Sequence, residues 1–565
     1  MARTVIDPIS RIEGHLQAEL EVDGGVVTDA WVCGQNFRGM ELVVENRAPE
    51  DAAQIVQRMC GLCPVSHAHA SAIAAEKARG QVISNPARIM RNIIEGAQIL
   101  RSNLLWYYNL IGLDFINPLN AVNANVGDAY DAAKQYGTKL VTDLDDLKDR
   151  LSAFAKNGQL SVFSGNWFDA EGGTAYKFDP ELDLVMTAHY FESLKFHAKI
   201  DELIAVIGGK MPHPVTLVPG GFLCHPTPGM MEDLRGRMEE IDSWLRGVII
   251  PDAKAFASYY PEVSKMGRGV GRYAAWGVLE GPDWPYGEDY TEQMLNRYLP
   301  MGIVEEDFSV IDVEEHKIQE YVGHSWYKGD DVYTSPYFVT EPDYTGYDVN
   351  DRYTWVKCPS YDGKPHEVGS IARMFSAYKR GVGPIKELVD DFSRFKGTEV
   401  GDLLPFESVM GRIEMRAVEM TYVSKLMLDF IDEMIEVLKN DDLDDYFAKP
   451  KRDSGAGTGF WEAPRGALYH SETVENDLIQ GYEIVIPTTW NLAPINQNGE
   501  HGPIEQALIG VPVEDLEKPI NALRTVHSFD PCTACSVHVS EPRSGRSFTV
   551  VSNPWNAVRT GRSVR

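Results

Sequence analysis

The chain has 565 residues, 44% hydrophobic and 24% charged, a composition that suits an ordinary folded protein with several domains or one large helical core. Lys and Arg total 53 against 83 Asp and Glu, and the net charge of -30 disfavours nucleic acid and anionic lipid as partners. The most apolar stretch, near 100–113, is broken by Arg101, Asn103 and Asn109, so no membrane span is expected.

Met1 to Pro8 lacks the apolar core of a secretory leader, which points to the cytoplasm unless a partner carries the chain out. Leu16 to Cys33 alternates apolar and polar residues around Asp23-Gly24-Gly25 and predicts a β-hairpin. Ser84-Asn85-Pro86 sets a capping side chain before a proline, and Ile89, Ile93, Ala97 and Leu100 follow at helical spacing, predicting one helix over about 86–112. Further helices are predicted over about 182–207, about 230–260 with a break near Pro251, and about 407–438. Between the last two, residues 262–365 read as loops and short strands.

The fold class this predicts is α+β, mainly α: a long-helix bundle core with small peripheral β-sheets and loops. Residues 1–538 read as one domain. Residues 539–565 differ in kind, with five Arg and one Glu giving +4, and read as a C-terminal extension.

Seven cysteines are too few for a disulfide framework, and Cys33, Cys224 and Cys358 stand alone, as small buried hydrophobes would. The other four form two Cys-x-x-Cys pairs, Cys60/Cys63 and Cys532/Cys535, with Cys63 and Cys532 469 positions apart. Such pairs serve structural zinc, a redox dithiol or a catalytic metal. A local zinc ribbon separates its pairs by roughly 12 to 20 residues, so this spacing disfavours one.

The flanks carry more. Arg58-Met59-Cys60-Gly61-Leu62-Cys63-Pro64-Val65-Ser66-His67 and His527-Ser528-Phe529-Asp530-Pro531-Cys532-Thr533-Ala534-Cys535-Ser536-Val537-His538 resemble the paired motifs of the large, catalytic subunit of nickel-iron hydrogenases. Arg11-Ile12-Glu13-Gly14-His15, Arg38-Gly39-Met40-Glu41, Glu462-Ala463-Pro464-Arg465-Gly466 and Pro487-Thr488-Thr489-Trp490-Asn491 extend the resemblance over nearly the whole chain. Four thiolates also suit a soft, redox-capable metal on chemical grounds alone.

The resemblance implies reversible heterolytic cleavage of dihydrogen, of the uptake, membrane-linked type. It implies nickel held by four cysteines, Cys60 and Cys532 terminal and Cys63 and Cys535 bridging to an iron that bears carbon monoxide and cyanide. By the same resemblance Cys532 is the first proton acceptor and Glu13 the next carboxylate in line. A local reading of Glu13 would instead salt-bridge it to Arg11. Arg465 lies over the diatomic ligands, oriented by Asp530 unless Asp530 caps the final turn. Thr488 donates to a cyanide, and His67, one helical turn beyond Cys63, donates to that sulfur. Glu41, His538 and the backbone carbonyl of about Ile484 match a magnesium site, for which iron or zinc is the softer alternative.

The three remaining cysteines cannot hold iron-sulfur clusters, so a cluster-bearing small subunit is expected. Nickel-insertion factors, an endopeptidase cutting after His538, and a membrane cytochrome b or quinone-linked subunit complete the implied partners. A location in the cell envelope, reached by co-export with the small subunit, is preferred to the cytoplasm. One departure concerns Ser102-Asn103-Leu104-Leu105-Trp106, where many relatives carry histidines at the positions of Asn103 and Trp106. The alternatives are a quinone-binding respiratory-complex subunit and a structural zinc protein.

Overall fold

The computed structural model describes residues 2–163, 167–282, 290–336, 341–440 and 447–533. The hairpin forms as β2 (Leu16–Asp23) and β3 (Val26–Gly34), with β1 (Ala2–Ile6) paired antiparallel on the other edge of β2. Gly24 and Gly25, at φ 59° and 81°, make its two-residue turn, since Asp23 pairs with Val26 and both intervening residues must be left-handed.

Two helices near the N-terminus carry residues singled out above: α1 (Met40–Val44), and α2 (Pro64–Arg79), which Pro64 opens at its first position and Gly80 closes in a left-handed cap. The capped helix α3 (Asn85–Leu105) begins where Ser84 accepts the N–H of Ala87, then passes into a π-helical turn over Trp106–Ile111. Two longer helices are α4 (Pro180–Gly208) and α5 (Pro228–Tyr259). A third of similar length, α6 (Val409–Lys439), packs against α3 and α5, and α4 packs against α3.

The break expected near Pro251 is absent. A proline removes the donor to the carbonyl four residues back, and here that carbonyl, on Gly247, accepts the N–H of Lys139 at 2.9 Å instead. The helix therefore runs through. The described residues of 262–365 hold short strands and turns, as expected, together with one short helix, Tyr290–Leu295.

An antiparallel sheet comes next, β4 (Gly455–Ala463), β5 (Gly466–Glu475) and β6 (Leu478–Val485), with no counterpart among the sequence expectations. Helix α2 lies on it at backbone contact. A Cβ at Gly457 would stand 2.2 Å from the carbonyl oxygen of Ala74, and one at Gly459 1.9 Å from that of Ala70. Only glycine opposite the small Ala70 and Ala74 admits the helix. The last described helix is α7 (Ile520–Ser528). The architecture is α+β, with five small antiparallel sheets among the described residues; no described helix is long and apolar enough to cross a membrane.

Candidate metal centre

Three of the four paired cysteines converge. Cys60 follows a 3-10 turn over Gln57–Met59, Cys63 is the residue before the first turn of α2, and Cys532 follows α7. Their sulfurs all lie within 4.8 Å of one another, buried and not disulfide-bonded. Cys535 and His538 lie outside the described residues.

The spacing suits a metal. Cys60 Sγ and Cys532 Sγ are 3.4 Å apart, far beyond a disulfide of about 2.05 Å. Two thiolates bound at about 2.3 Å to one ion stand about 3.3–3.8 Å apart, which brackets that distance. The N–H of Leu62 donates to Cys60 Sγ at 3.1 Å, and the positive end of α2 points at Cys63, so both sulfurs face partial positive charge. A soft metal fits this donor set.

Cys532 reaches its place by a sharp turn. Asp530 adopts φ 55° after α7, and Cys532 then forms a parallel bridge with Glu13. Cys532 Sγ stands 3.3 Å from Glu13 Oε2, and Glu13's carbonyl accepts the N–H of Thr533 at 2.7 Å and its hydroxyl at 3.0 Å. Glu13 does not pair with Arg11, as the local reading had it. Arg11 instead pairs with Asp114, whose pKa is held at about 2: burial works against ionisation, but the Arg11 guanidinium and the hydrogen-bonded His527 outweigh it.

Arg465 occupies the tip of the β4–β5 hairpin, where Ala463 pairs with Gly466 and Pro464-Arg465 is the two-residue loop. Its Nε donates to the Asp530 carbonyl and its Nη2 to Asp530 Oδ1, each at 2.9 Å. Arg416 takes the other oxygen, Oδ2, at 2.8 Å. Burial disfavours the Arg465 cation, but Asp530 and the three cysteines outweigh it, so its pKa lies well above the ordinary value. Two guanidiniums on one carboxylate leave net positive charge beside the thiols. Arg373 fixes the hairpin tip from behind, bonding Glu462 at 2.7 Å and the carbonyls of Ala463 and Pro464 at 3.0 and 2.8 Å.

Two expectations take a different form. His67 makes no hydrogen bond to Cys63: its Nδ1 faces His470 Nε2 at 3.2 Å, and its buried Nε2 has no partner among the described residues. The register of β5 against α2 puts His470 where it captures that ring. Thr488, in the first turn of the short helix Pro487–Asn491, accepts the N–H of Cys532 at 3.1 Å; its own proton is left for another acceptor. Of the isolated cysteines, Cys33 and Cys358 are buried, whereas Cys224 is partly exposed.

Glu41 lies on α1, which packs against β6, the strand of Ile484. Desolvation pushes the Glu41 carboxyl upward, Lys357 opposes, and Glu320 adds to it. Glu320 is buried with neither oxygen hydrogen-bonded, 3.6 Å from the Lys357 ammonium. The Glu41 and Glu320 carboxylates suit a hard cation, while the Lys357 ammonium offsets part of their charge.

Arg416, Arg373, His470, Glu320 and Lys357 were missed by sequence reading. So was Glu95, which accepts from Ser66 at 2.5 Å, faces His69 Nδ1 at 3.3 Å, and is pushed up to about 8 by burial. One signal was available: Arg412, Arg416 and Glu419 recur at helical spacing on an apolar run.

Comparison with known proteins agrees with the geometry. A family profile, nickel-dependent hydrogenase, matches residues 38–538, and a HoxL-like profile matches residues 3–33. The hydrogenase-1 large chain of Escherichia coli (strain K12) is 35% identical, over 95% of each chain. The uptake hydrogenase large subunit of Rhodobacter capsulatus is 33% identical, over 97% of each. Among solved structures, the reduced Ni-Fe-Se hydrogenase of D. vulgaris Hildenborough superposes with a TM-score of 0.76 at 30% identity, covering 95% of this chain and 100% of that one. Buried thiols gathered from both ends of the chain, on a fold shared over nearly its whole length, mark this chain as a member of the nickel-dependent hydrogenases, a catalytic large subunit acting on hydrogen.

Proposed function

We propose that this hydrogenase cleaves dihydrogen heterolytically with Cys532 as first proton acceptor and Glu13 as the next. The observation that carries it is the 3.3 Å contact between Cys532 Sγ and Glu13 Oε2. A nickel-iron centre with carbon monoxide and cyanide on the iron, when bound, supplies the Lewis-acidic and redox-active place where dihydrogen is polarised. Cys60, Cys63 and Cys532 would hold it, with Cys535 as fourth ligand. Cys60 and Cys532 would be its terminal ligands.

The protein's own task is the proton. A thiolate at Cys532 accepts it, and a carboxylate in hydrogen-bond contact takes it on, as general acid–base transfer requires. Arg465, held charged by Asp530, offers directed donors to anionic diatomic ligands without losing its own proton. Thr488, already accepting from Cys532, has its hydroxyl proton free for the same purpose. His67, which does not reach Cys63, keeps a buried ring nitrogen without a partner among the described residues.

Glu41, the Ile484 carbonyl and His538 are the proposed ligands of magnesium or iron, an ion that pins the C-terminal segment. The long helices α3, α4, α5 and α6 are the proposed core bundle behind the site. Hydrogenase large chains work with a small subunit, and with three cysteines outside the paired motifs this chain has none of the sets of four that clusters need. The iron-sulfur clusters therefore belong to that partner, and a membrane cytochrome b or quinone-linked subunit would receive the electrons. Hydrogen uptake is the proposed direction, in the cell envelope. The family match ends at His538, which supports cleavage after that residue by a maturation endopeptidase once nickel is inserted.

Replacement of Glu13 by Gln tests the central step. The metal centre should form with unchanged nickel and infrared bands, while deuterium–proton exchange falls about 10²-fold or more. Unchanged exchange would remove Glu13 from the mechanism.

A further inference from the structure

The loop bearing Glu13 is tied to the segment bearing Cys532 by three side chains that touch neither the Glu13 carboxylate nor the Cys532 sulfur. Arg11, at φ 54°, turns its guanidinium onto one oxygen of Asp114 and onto the carbonyl of Leu110. The other oxygen of Asp114 is 2.7 Å from His527 Nδ1, and His527 Nε2 is 2.7 Å from the carbonyl of Ser10. The ring therefore closes: two adjacent residues of the N-terminal loop, Ser10 and Arg11, both end on the Asp114–His527 pair. Asp114 and His527 are buried.

The ring is braced on both sides. Arg524, also on α7, donates from Nε and Nη2 to the Asp114 carbonyl at 3.1 and 2.9 Å. Trp106 Nε1 donates to the His527 carbonyl at 2.8 Å, and the same carbonyl accepts the N–H of Asp530. Thus the turn that aims Cys532 starts from the residue that holds Ser10. Proton transfer demands hydrogen-bond contact, and a misplacement of about 1 Å can cost about 10²-fold. One-residue slippage of the Glu13–Cys532 bridge would move the carboxylate by about 3.3 Å.

We propose that Arg11, Asp114 and His527 form a positioning triad for proton transfer, holding Glu13 against Cys532. The inference rests on the reading of Glu13 as proton acceptor. It gives these residues no contact with the reacting atoms, so their effect must pass through Glu13.

A double-mutant cycle on the holoenzyme tests it. His527→Gln and Asp114→Asn are each made alone and with Glu13→Gln, and nickel content, infrared bands of the metal's diatomic ligands and deuterium–proton exchange are measured. The triad variants should keep nickel and the bands, lose exchange about 10²-fold, and add nothing to the loss in Glu13→Gln. Arg11→Lys, which keeps the charge but loses the forked donor, should fall between them and the parent. Losses that multiply in the doubles, exchange that stays unchanged in the singles, or loss of nickel in all three triad variants would each overturn the triad. Unchanged exchange in Glu13→Gln alone would sink the Glu13 reading, and the triad with it; multiplying losses with an impaired Glu13→Gln would remove the triad only.

Discussion

Cys532 has a sulfur 3.4 Å away on one side and a carboxylate 3.3 Å away on the other. That pairing explains why a serine there should be the most damaging single change: a hydroxyl is a poorer metal ligand and a poorer first base at neutral pH. Arg465 is the second sensitive point. Its two contacts with Asp530 use the guanidinium fork, which an ammonium cannot reproduce. Arg465→Lys should keep a positive charge in the site yet lower hydrogen oxidation by about 10–10³-fold, with infrared bands shifted; a variant with full activity would show that the fork is dispensable. At this scale the chemistry-bearing residues were legible, because Glu13, Arg465 and the cysteines sit in dense local motifs. Their partners were not. Arg416 and Arg373 meet Asp530 and the hairpin tip only through contacts spanning 114 and 89 to 91 positions, and no local pattern announces such pairs.

The element that seats the N-terminal cysteines is α2, and its seat is the glycine-lined strand β4. Gly457→Ala forces a methyl to 2.2 Å from the Ala74 carbonyl oxygen, so the helix or the sheet must move. The expected cost is about 1–3 kcal/mol, read as a lower unfolding temperature together with lower nickel content; an unaffected variant would contradict the tight seat. The same sheet buries Glu472 with neither oxygen hydrogen-bonded, and burial pushes its carboxyl up to about 8, with Arg79 opposing. Between the ordinary value near 4.5 and 8 the folded chain keeps a proton that the unfolded chain releases, so stability falls as pH rises through that window. Glu472→Gln should therefore raise the unfolding temperature by about 1–3 °C at pH 8 and less at pH 5; equal shifts at both pH values would refute the sign. The long helices were legible from period and caps, within a few residues. The β4–β6 sheet was not, although glycines alternating at 455, 457 and 459 opposite alanines four apart on α2 record its packing. Pro251 misled for a tertiary reason, since Lys139 supplies the donor that the helix lacks.

At the scale of the whole molecule, the site exists only because the two ends of the chain meet. Residues 10–13, 60–67, 465 and 527–533 come from four regions, and α7 carries the last of them back to the first. Folding must therefore be close to complete before all thiols can share one metal, and nickel binding should in turn stabilise the fold. The spacing of 469 residues between the inner cysteines was legible as closure around a metal, whereas the packing path that achieves it was not. The mature holoprotein should end at His538 and purify with a cluster-bearing small subunit; an active enzyme whose intact mass still includes Arg565 would contradict the cleavage. Metal analysis combined with nickel X-ray absorption tests the closure around nickel most directly. The expected result is about one nickel per chain in a sulfur-dominated shell, with one sulfur fewer in any nickel retained by Cys532→Ser. Zinc alone, or nickel without sulfur ligands, would contradict it.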